Sequence, residues 1–516
     1  MPDVAIAAPN EAAAAAGERL VLQGGNAVDA ALAASLVTMV NEVGIVSLSS
    51  GGFVTVQPAG ESTAFTVDGW MDMPGRESFR QAQGTRGQAQ GTRRPAQGSA
   101  GQRPGTWDVS TDYGGGVEIT IGAGSVAVHG AVAAFEDAHT RWGVAPWHEV
   151  VAPAIEVATA GFRLGSASRY YLDYVHDDIF GWDDVSRAAV HDTRPGFEGE
   201  VTSEPIVVPD LADALRLIAD EGASALHTGD LARLIATDVL DRGGLLSARD
   251  LAAYRPVVRP ALVAQVGGWR LGTTPPPSVG GVSVAAMLRL LDGRTDPEIM
   301  VEVQRAVLGH RLDVLDLSDD LARDAATYLA MLDGLPPSAL SADRPASTAH
   351  VSASDSDGGS CAVTVSSGYG SGMIARGTGI WLNNCLGEQE LNPRGLHGSA
   401  PGSRLLSNMA PTVAQHDDGA SLAIGSPGAD RISTAVAQVI AGYCTGGLTL
   451  QQAVNRARVH VHRAGRPEEE VKRETDLTMY FGGVGATVRR PLPDGSVHLE
   501  AAADPRRDGA VRLVRP

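Results

Sequence analysis

From Ala131 to Leu332 apolar residues recur mainly at helical spacing, and at Thr348 the texture changes to two-residue alternation before returning to helix. Helices, then strands, then helices again define an α+β chain. Helices are expected over Ala131–Trp142, Trp147–Ala160, Asp210–Glu221, Leu231–Asp241, Val282–Leu291 and Pro297–Leu315. Nearer the start, Asn10 caps an alanine-rich helix to Leu22, and Asn26 caps a second from Ala27 to Val43 whose small residues permit close packing. Phe53–Val56 and Ala64–Val67 alternate like paired strands. Beyond Thr348, Val351–Ser354 and Cys361–Ser366 form a hairpin around the turn-rich Asp355–Gly359, followed by a strand at Ser421–Gly425, a helix at Asp430–Cys444 and a strand at Thr478–Val488.

One stretch breaks this order. Gln81–Arg86 (QAQGTR) recurs as Gln88–Arg93 within a Gly/Gln/Arg-rich segment that offers little to bury, so residues 76–116 are expected to be a disordered surface insertion. Its arginines read as a solvated loop rather than a nucleic-acid patch.

Composition narrows the function. With 43% hydrophobic residues in 516 the chain can bury a large core, and its formal charge of −19 argues against nucleic acid or anionic membrane as partner. Lys472 is the sole lysine, which excludes a phosphate-cradling P-loop and disfavours Schiff-base chemistry; H-E-x-x-H and G-x-S-x-G are absent too. The cysteines Cys361, Cys385 and Cys444 are odd in number and widely spaced, unlike a disulfide framework or a zinc site. His460 and His462 alternate on a strand-like run in a way that can bind metal, but with no further ligand cluster nearby in sequence a packing or surface role is expected and no metal is assigned. The chain shows no signal-peptide pattern and no run of about 18 apolar residues, so a cytoplasmic location is expected.

The chemistry centres on Ser347-Thr348-Ala349-His350-Val351-Ser352. A hydroxyl is a poor nucleophile without a base in reach; if the Ser347–Thr348 bond breaks, Thr348 gains an α-amine that titrates at about 7.7–8.0 and can serve as that base. Taken alone, such a pair ahead of a β run usually means a strand edge or turn.

Seven further segments carry a resemblance, in order along the chain: Gly24–Ala31 (GGNAVDAA); Ser50–Phe53 with Asp68-Gly69; Gly243–Leu246 with Asp250–Tyr254; Pro275–Gly281 (PPPSVGG); Gly379–Asn384 (GIWLNN); Leu406–Thr412 (LSNMAPT); and Gly425–Arg431 (GSPGADR). With these the chain resembles the γ-glutamyltranspeptidase family of N-terminal nucleophile hydrolases. The resemblance implies a four-layered αββα sandwich, one interleaved unit cut into a large subunit, residues 1–347, and a small subunit, residues 348–516. It casts Thr348 as nucleophile released by cleavage at Ser347/Thr348, Ser366 as a supporting hydroxyl, and the backbone N–H groups of Gly428 and Ala429 as oxyanion donors, with no cofactor required. The family places two glycines at the last pair, and a Thr and an aromatic where this chain has Ala349 and Val351.

For the substrate, the resemblance assigns Glu388 to an α-amine, Cys385 to a nearby polar position, and Ser407 and Asn408 to a supporting pair. The position where γ-glutamyl-specific members carry a carboxylate-gripping arginine is Trp70, whose indole cannot replace a bidentate guanidinium. Arg376, Arg404 and Arg431 are candidate replacements. The expected activity is hydrolysis or transfer of the γ-glutamyl group of glutathione or a related small-molecule amide. Two alternatives stand beside it: an acylase of the same fold with a non-glutamyl substrate, and an unprocessed, catalytically silent paralogue acting as a binding protein.

Overall fold

The computed structural model describes residues 1–77, 105–113, 116–192, 194–197, 199–332 and 348–516. Ser347, the expected residue before the cut, and most of the 76–116 segment lie outside these.

Two antiparallel sheets face each other. The seven-stranded sheet runs in the order Ala510–Val514, Val4–Ala8, Ala349–Asp355, Ser360–Ser366, Gly51–Gln57, Phe65–Gly69, Val257–Pro260. The six-stranded sheet runs Val497–Ala503, Gly485–Pro491, Ser421–Gly425, Thr412–His416, Trp269–Thr273, Leu262–Val266. Both draw strands from either side of Thr348, so the two predicted pieces interleave within each sheet.

Helices cover the outer faces. Ala27–Asn41 and Ala131–Trp142 lie on the seven-stranded sheet, while Val279–Leu291 and Arg431–Cys444 lie on the other, completing the αββα order. The first of these is buried along all of its length because its small residues meet the sheet on one side and neighbouring helices on the other. Asn26 caps it reciprocally with Asp29, as its sequence predicts.

The strand Ala349–Asp355 is buried on both faces. Val351 and Ala353 join the hydrophobic layer under the helices. Ser352 and Ser354 face the opposite sheet, where Ser352 Oγ donates to the Gly485 carbonyl at 3.2 Å and Ser354 Oγ lies 2.8 Å from Thr487 Oγ1. The layer between the sheets is thus built from alanines and paired hydroxyls, including Ser360–Ser421 at 3.2 Å. Alternation that would ordinarily mean one wet face here means two dry ones, with each buried hydroxyl hydrogen-bonded.

Several boundaries differ from expectation. Trp107–Thr111 pairs with Val117–Ile121, so the end of the expected disordered insertion is a hairpin, anchored by Trp107 edge-on to Trp182 at 4.9 Å. The W-D-V-S-T alternation was masked by the glutamine- and glycine-rich composition ahead of it. The expected strand Thr478–Val488 is a short 3-10 turn, Met479–Phe481, and then the strand Gly485–Pro491; Gly482, at φ +89°, breaks the run. Helix Pro297–His310 continues to Leu315 as a π turn, closed by the Asp316 amide on the Arg311 carbonyl at 2.8 Å. Ser166–Phe180 is a helix that sequence periodicity did not reveal. No helix among the described residues is long and apolar enough to cross a membrane.

Candidate active site

Thr348 stands at the head of the strand Ala349–Asp355 and is 2% exposed. Its carbonyl accepts a long 3.4 Å hydrogen bond from Arg507 Nη1. In the ladder with Ser360–Ser366, Val365 is opposite Ala349, so one further step brings Ser366 opposite Thr348. The Ser366 hydroxyl accepts the Gly368 amide at 3.0 Å, turning the chain just beyond the nucleophile candidate.

His350 is not positioned for proton transfer at Thr348. Its ring nitrogens lie 2.8 Å from Thr364 Oγ1 and from Ser352 Oγ, and burial lowers its pKa to about 3, so it is a neutral brace between strands.

The turn joining strand Ser421–Gly425 to helix Arg431–Cys444 borders the same cavity: Thr348, Pro427, Gly483, Gly485, Glu42 and Arg507 all line it. Ser426 Oγ accepts the Gly483 amide at 3.1 Å and fixes the turn. Gly428 and Ala429 have φ +120° and +67°, and neither amide donates to any described residue. Two unengaged N–H groups at the head of a helix suit a developing oxyanion. Ala429 adopts a left-handed conformation that its Cβ disfavours. Ala429→Gly should raise stability by about 0.5–1 kcal/mol, the relief of that strain less the added unfolded-state entropy. Paired urea denaturation curves check this; an unchanged or lowered midpoint would mean that the turn relaxes around the methyl group.

The residues expected to contact substrate follow from the turn after Ser366. Tyr369 N donates to Asn384 Oδ1 at 2.6 Å, and a Cβ on Gly368 would stand 2.9 Å from Glu388 Oε1, so the Glu388 carboxyl sits against this turn. Both Glu388 oxygens are buried without a close hydrogen-bond partner, and burial pushes the group up to about 8 against the opposing pull of the Cys385 thiol. The Cys385 thiol is next to it and is raised as well, first by burial and then by the neighbouring carboxylate. That makes Cys385 an inert buried thiol. Glu390 is buried nearby and raised too, chiefly by burial.

Trp70 joins the site through Gly51, the partner of Ser366: a Cβ at Gly51 would stand 2.7 Å from Trp70 Cε3. The indole is 1% exposed, stacks on Phe53 and donates Nε1–H to the Leu406 carbonyl at 2.7 Å. Ser407 Oγ accepts the Met409 amide at 3.2 Å, whereas the buried carboxamide of Asn408 has no partner at either atom.

The three candidate replacement arginines are already engaged. Arg404 pairs with Asp72 at 3.0 Å and covers the Tyr254 ring; Arg431 pairs with Asp430 at 2.9 Å; and the exposed Arg376 pairs with Asp238 at 3.2 Å. His460 also binds Asp430, at 3.1 Å through Nε2, and belongs with His462 and Asp430 to one buried polar cluster.

Sequence reasoning missed Arg507 and Glu42, which line the cavity with Thr348 from opposite ends of the chain. Glu42 is held by Asn10 Nδ2 at 2.7 Å and Ser168 Oγ at 2.8 Å, with burial raising its pKa. Neither sits in a recognisable motif, because only the folded sheets bring them to Thr348.

Comparison with known proteins bears on the family. The sequence profile of the γ-glutamyltranspeptidase family matches residues 13–514. The chain is 28% identical over 564 residues to the glutathione hydrolase proenzyme of Pseudomonas aeruginosa, covering 99% of this chain and 95% of that one. It is also 28% identical over 518 residues to the acylase ACY 1 proenzyme of Pseudomonas sp. strain V22, covering 95% and 88%. Among solved structures, cephalosporin acylase from Bacillus halodurans superposes with a TM-score of 0.74 at 22% identity, over 100% of this chain and 96% of that one, which establishes the shared fold. The chain is therefore an enzyme that belongs to the γ-glutamyltranspeptidase family of N-terminal nucleophile hydrolases.

Proposed function

We infer that the chain is a self-processing amidohydrolase in which Thr348 is both the new N-terminus and the nucleophile, and that its preferred substrate is an acyl amide without an α-carboxylate. Thr348 Oγ attacks the amide carbon while its proton passes to the Thr348 α-amine. The oxyanion is held by the Gly428 and Ala429 amides. The C–N bond breaks as the α-amine returns the proton to the leaving amine, and water then opens the ester by the reverse route.

The observation that carries the substrate reading is Trp70. A buried indole, its only donor engaged by Leu406, occupies the position of the expected carboxylate grip, and each candidate replacement arginine is paired with a carboxylate. Similarity to the ACY 1 acylase supports the same reading. The test compares kcat/KM of the processed enzyme on neutral acyl anilides and on γ-glutamyl anilide. The neutral amide should be preferred by about tenfold or more, the worth of one lost charge-assisted contact; preference for the γ-glutamyl compound would overturn this reading.

The γ-glutamyl alternative is favoured by Glu388, whose buried carboxyl suits a substrate ammonium. Such a pair needs the ionised acid. Because burial raises the group to about 8, kcat/KM for an ammonium-bearing substrate should climb as pH rises through about 8, relative to a neutral amide measured alongside. The ratio of the two cancels titration of the Thr348 α-amine. A ratio that is flat with pH, or unchanged in Glu388→Gln, would remove Glu388 from substrate binding.

A further inference from the structure

A second cluster of ligating side chains lies away from Thr348. Helix Ser166–Phe180 supplies His176 and Asp177, and His191 follows helix Asp184–Val190 as its C-cap. His191 Nε2 is 2.9 Å from His176 Nδ1 and 3.0 Å from Asp177 Oδ1; the last two atoms are 3.8 Å apart.

Neutral rings leave the Asp177 contact unexplained. His191 Nδ1 lies 3.1 Å from the Arg187 carbonyl oxygen, which can only accept, so that nitrogen carries the hydrogen. In the neutral ring Nε2 then carries a lone pair that can accept from His176 Nδ1–H, but it also lies 3.0 Å from a carboxylate oxygen that only accepts. A positive charge shared between them, a proton or a metal ion, would account for the contact. We propose that His176, Asp177 and His191 form a binding site for one divalent transition-metal ion of the zinc type, which ties the end of helix Ser166–Phe180 to the end of helix Asp184–Val190.

Ligand spacing agrees. Bonds of about 2.0–2.2 Å in a tetrahedral arrangement set donor atoms roughly 3.4 Å apart, within the observed 2.9–3.8 Å. The His191 Nδ1–H bond to a backbone carbonyl is the outer contact that orients metal-bound imidazoles. The field is also suitable: the carboxylates of Asp177, Asp173 and Asp178 act on His176. His191 is buried while Asp177 is 63% exposed, which leaves a solvent side for a water as fourth ligand. The other such cluster, Asp430, His460 and His462, is a poorer site because the Arg431 guanidinium already occupies the Asp430 carboxylate at 2.9 Å.

The position gives the ion a structural task. Tyr171 of the same helix donates to the Tyr369 carbonyl at 2.6 Å, and Ser186 of the next helix accepts Trp381 Nε1–H at 3.0 Å, so the two tied elements back the wall that holds Glu388.

The test is titration of the chelator-treated full chain with Zn²⁺ by calorimetry and with Co²⁺ by absorption, alongside thermal unfolding. One saturable site with tetrahedral cobalt absorption and a raised Tm is expected. His176→Asn and His191→Asn should abolish it; Asp177→Asn, at an exposed position that should leave folding intact, should weaken it by about tenfold or more. His462→Asn should leave it unchanged. Absence of saturable binding to the wild type, retention of full affinity in Asp177→Asn, or loss of the signal in His462→Asn instead would each overturn the assignment. So would a Tm that falls as pH rises through the imidazole range identically with and without zinc, since a proton would then be the missing charge.

Discussion

Thr348→Ala should leave one uncut chain and no measurable amidase, a loss on the order of 10⁴-fold or more, while the wild type resolves into two pieces with Thr348 at the new N-terminus. The size of the effect follows from one residue having two tasks: its hydroxyl attacks the substrate, and its α-amine, available only after cleavage, takes the proton. Folding should survive, because the side chain stands at the head of a strand whose register is set by Ala349–Asp355 against both neighbours. Intact mass and N-terminal sequencing decide the matter. If the wild type also stays whole, the self-processing mechanism built on Thr348 falls. Thr348→Ser, which keeps both groups, should still process and turn over.

Trp70→Ala should cost about 3–5 kcal/mol of stability, the largest effect of any substitution among the residues expected to contact substrate. Three losses combine: a large buried ring with its stacking on Phe53, the contact over Gly51, and the Nε1–H bond to Leu406. The Trp70 backbone carbonyl also receives Tyr254 Oη–H at 2.7 Å and Arg404 Nη1–H at 2.6 Å, so collapse around the cavity is resisted. Trp70→Phe separates the terms: it keeps most of the ring but strands the Leu406 carbonyl, and should cost about 1–3 kcal/mol. Denaturant midpoints of the two variants check this. Equal small losses in both would mean that the indole is a loose plug, and the argument against an α-carboxylate grip would weaken with it.

Much of this was legible in the sequence because it is local. The Asn10 and Asn26 caps and the helices Ala131–Trp142 and Trp147–Ala160 follow from capping chemistry and periodicity within a few turns of chain. The motif order along the chain was enough for the family, and with it the two-sheet architecture. The hairpin at Trp107–Thr111 was hidden by composition, and the helix Ser166–Phe180 by aromatic and charged residues that blur its apolar stripe.

The tertiary structure decided what depends on distance across the chain. It placed Trp70, where the resemblance expects the carboxylate grip, against Leu406, paired Arg404, Arg431 and Arg376 with aspartates, and buried Glu388 and Asn408 without close hydrogen-bond partners. It brought Glu42 and Arg507 to Thr348, and His191 to His176 and Asp177. Capping and periodicity act between neighbours and can be read along the chain. Burial, pairing and unmet hydrogen bonds are set by which strands and helices meet, and the sequence by itself does not order them.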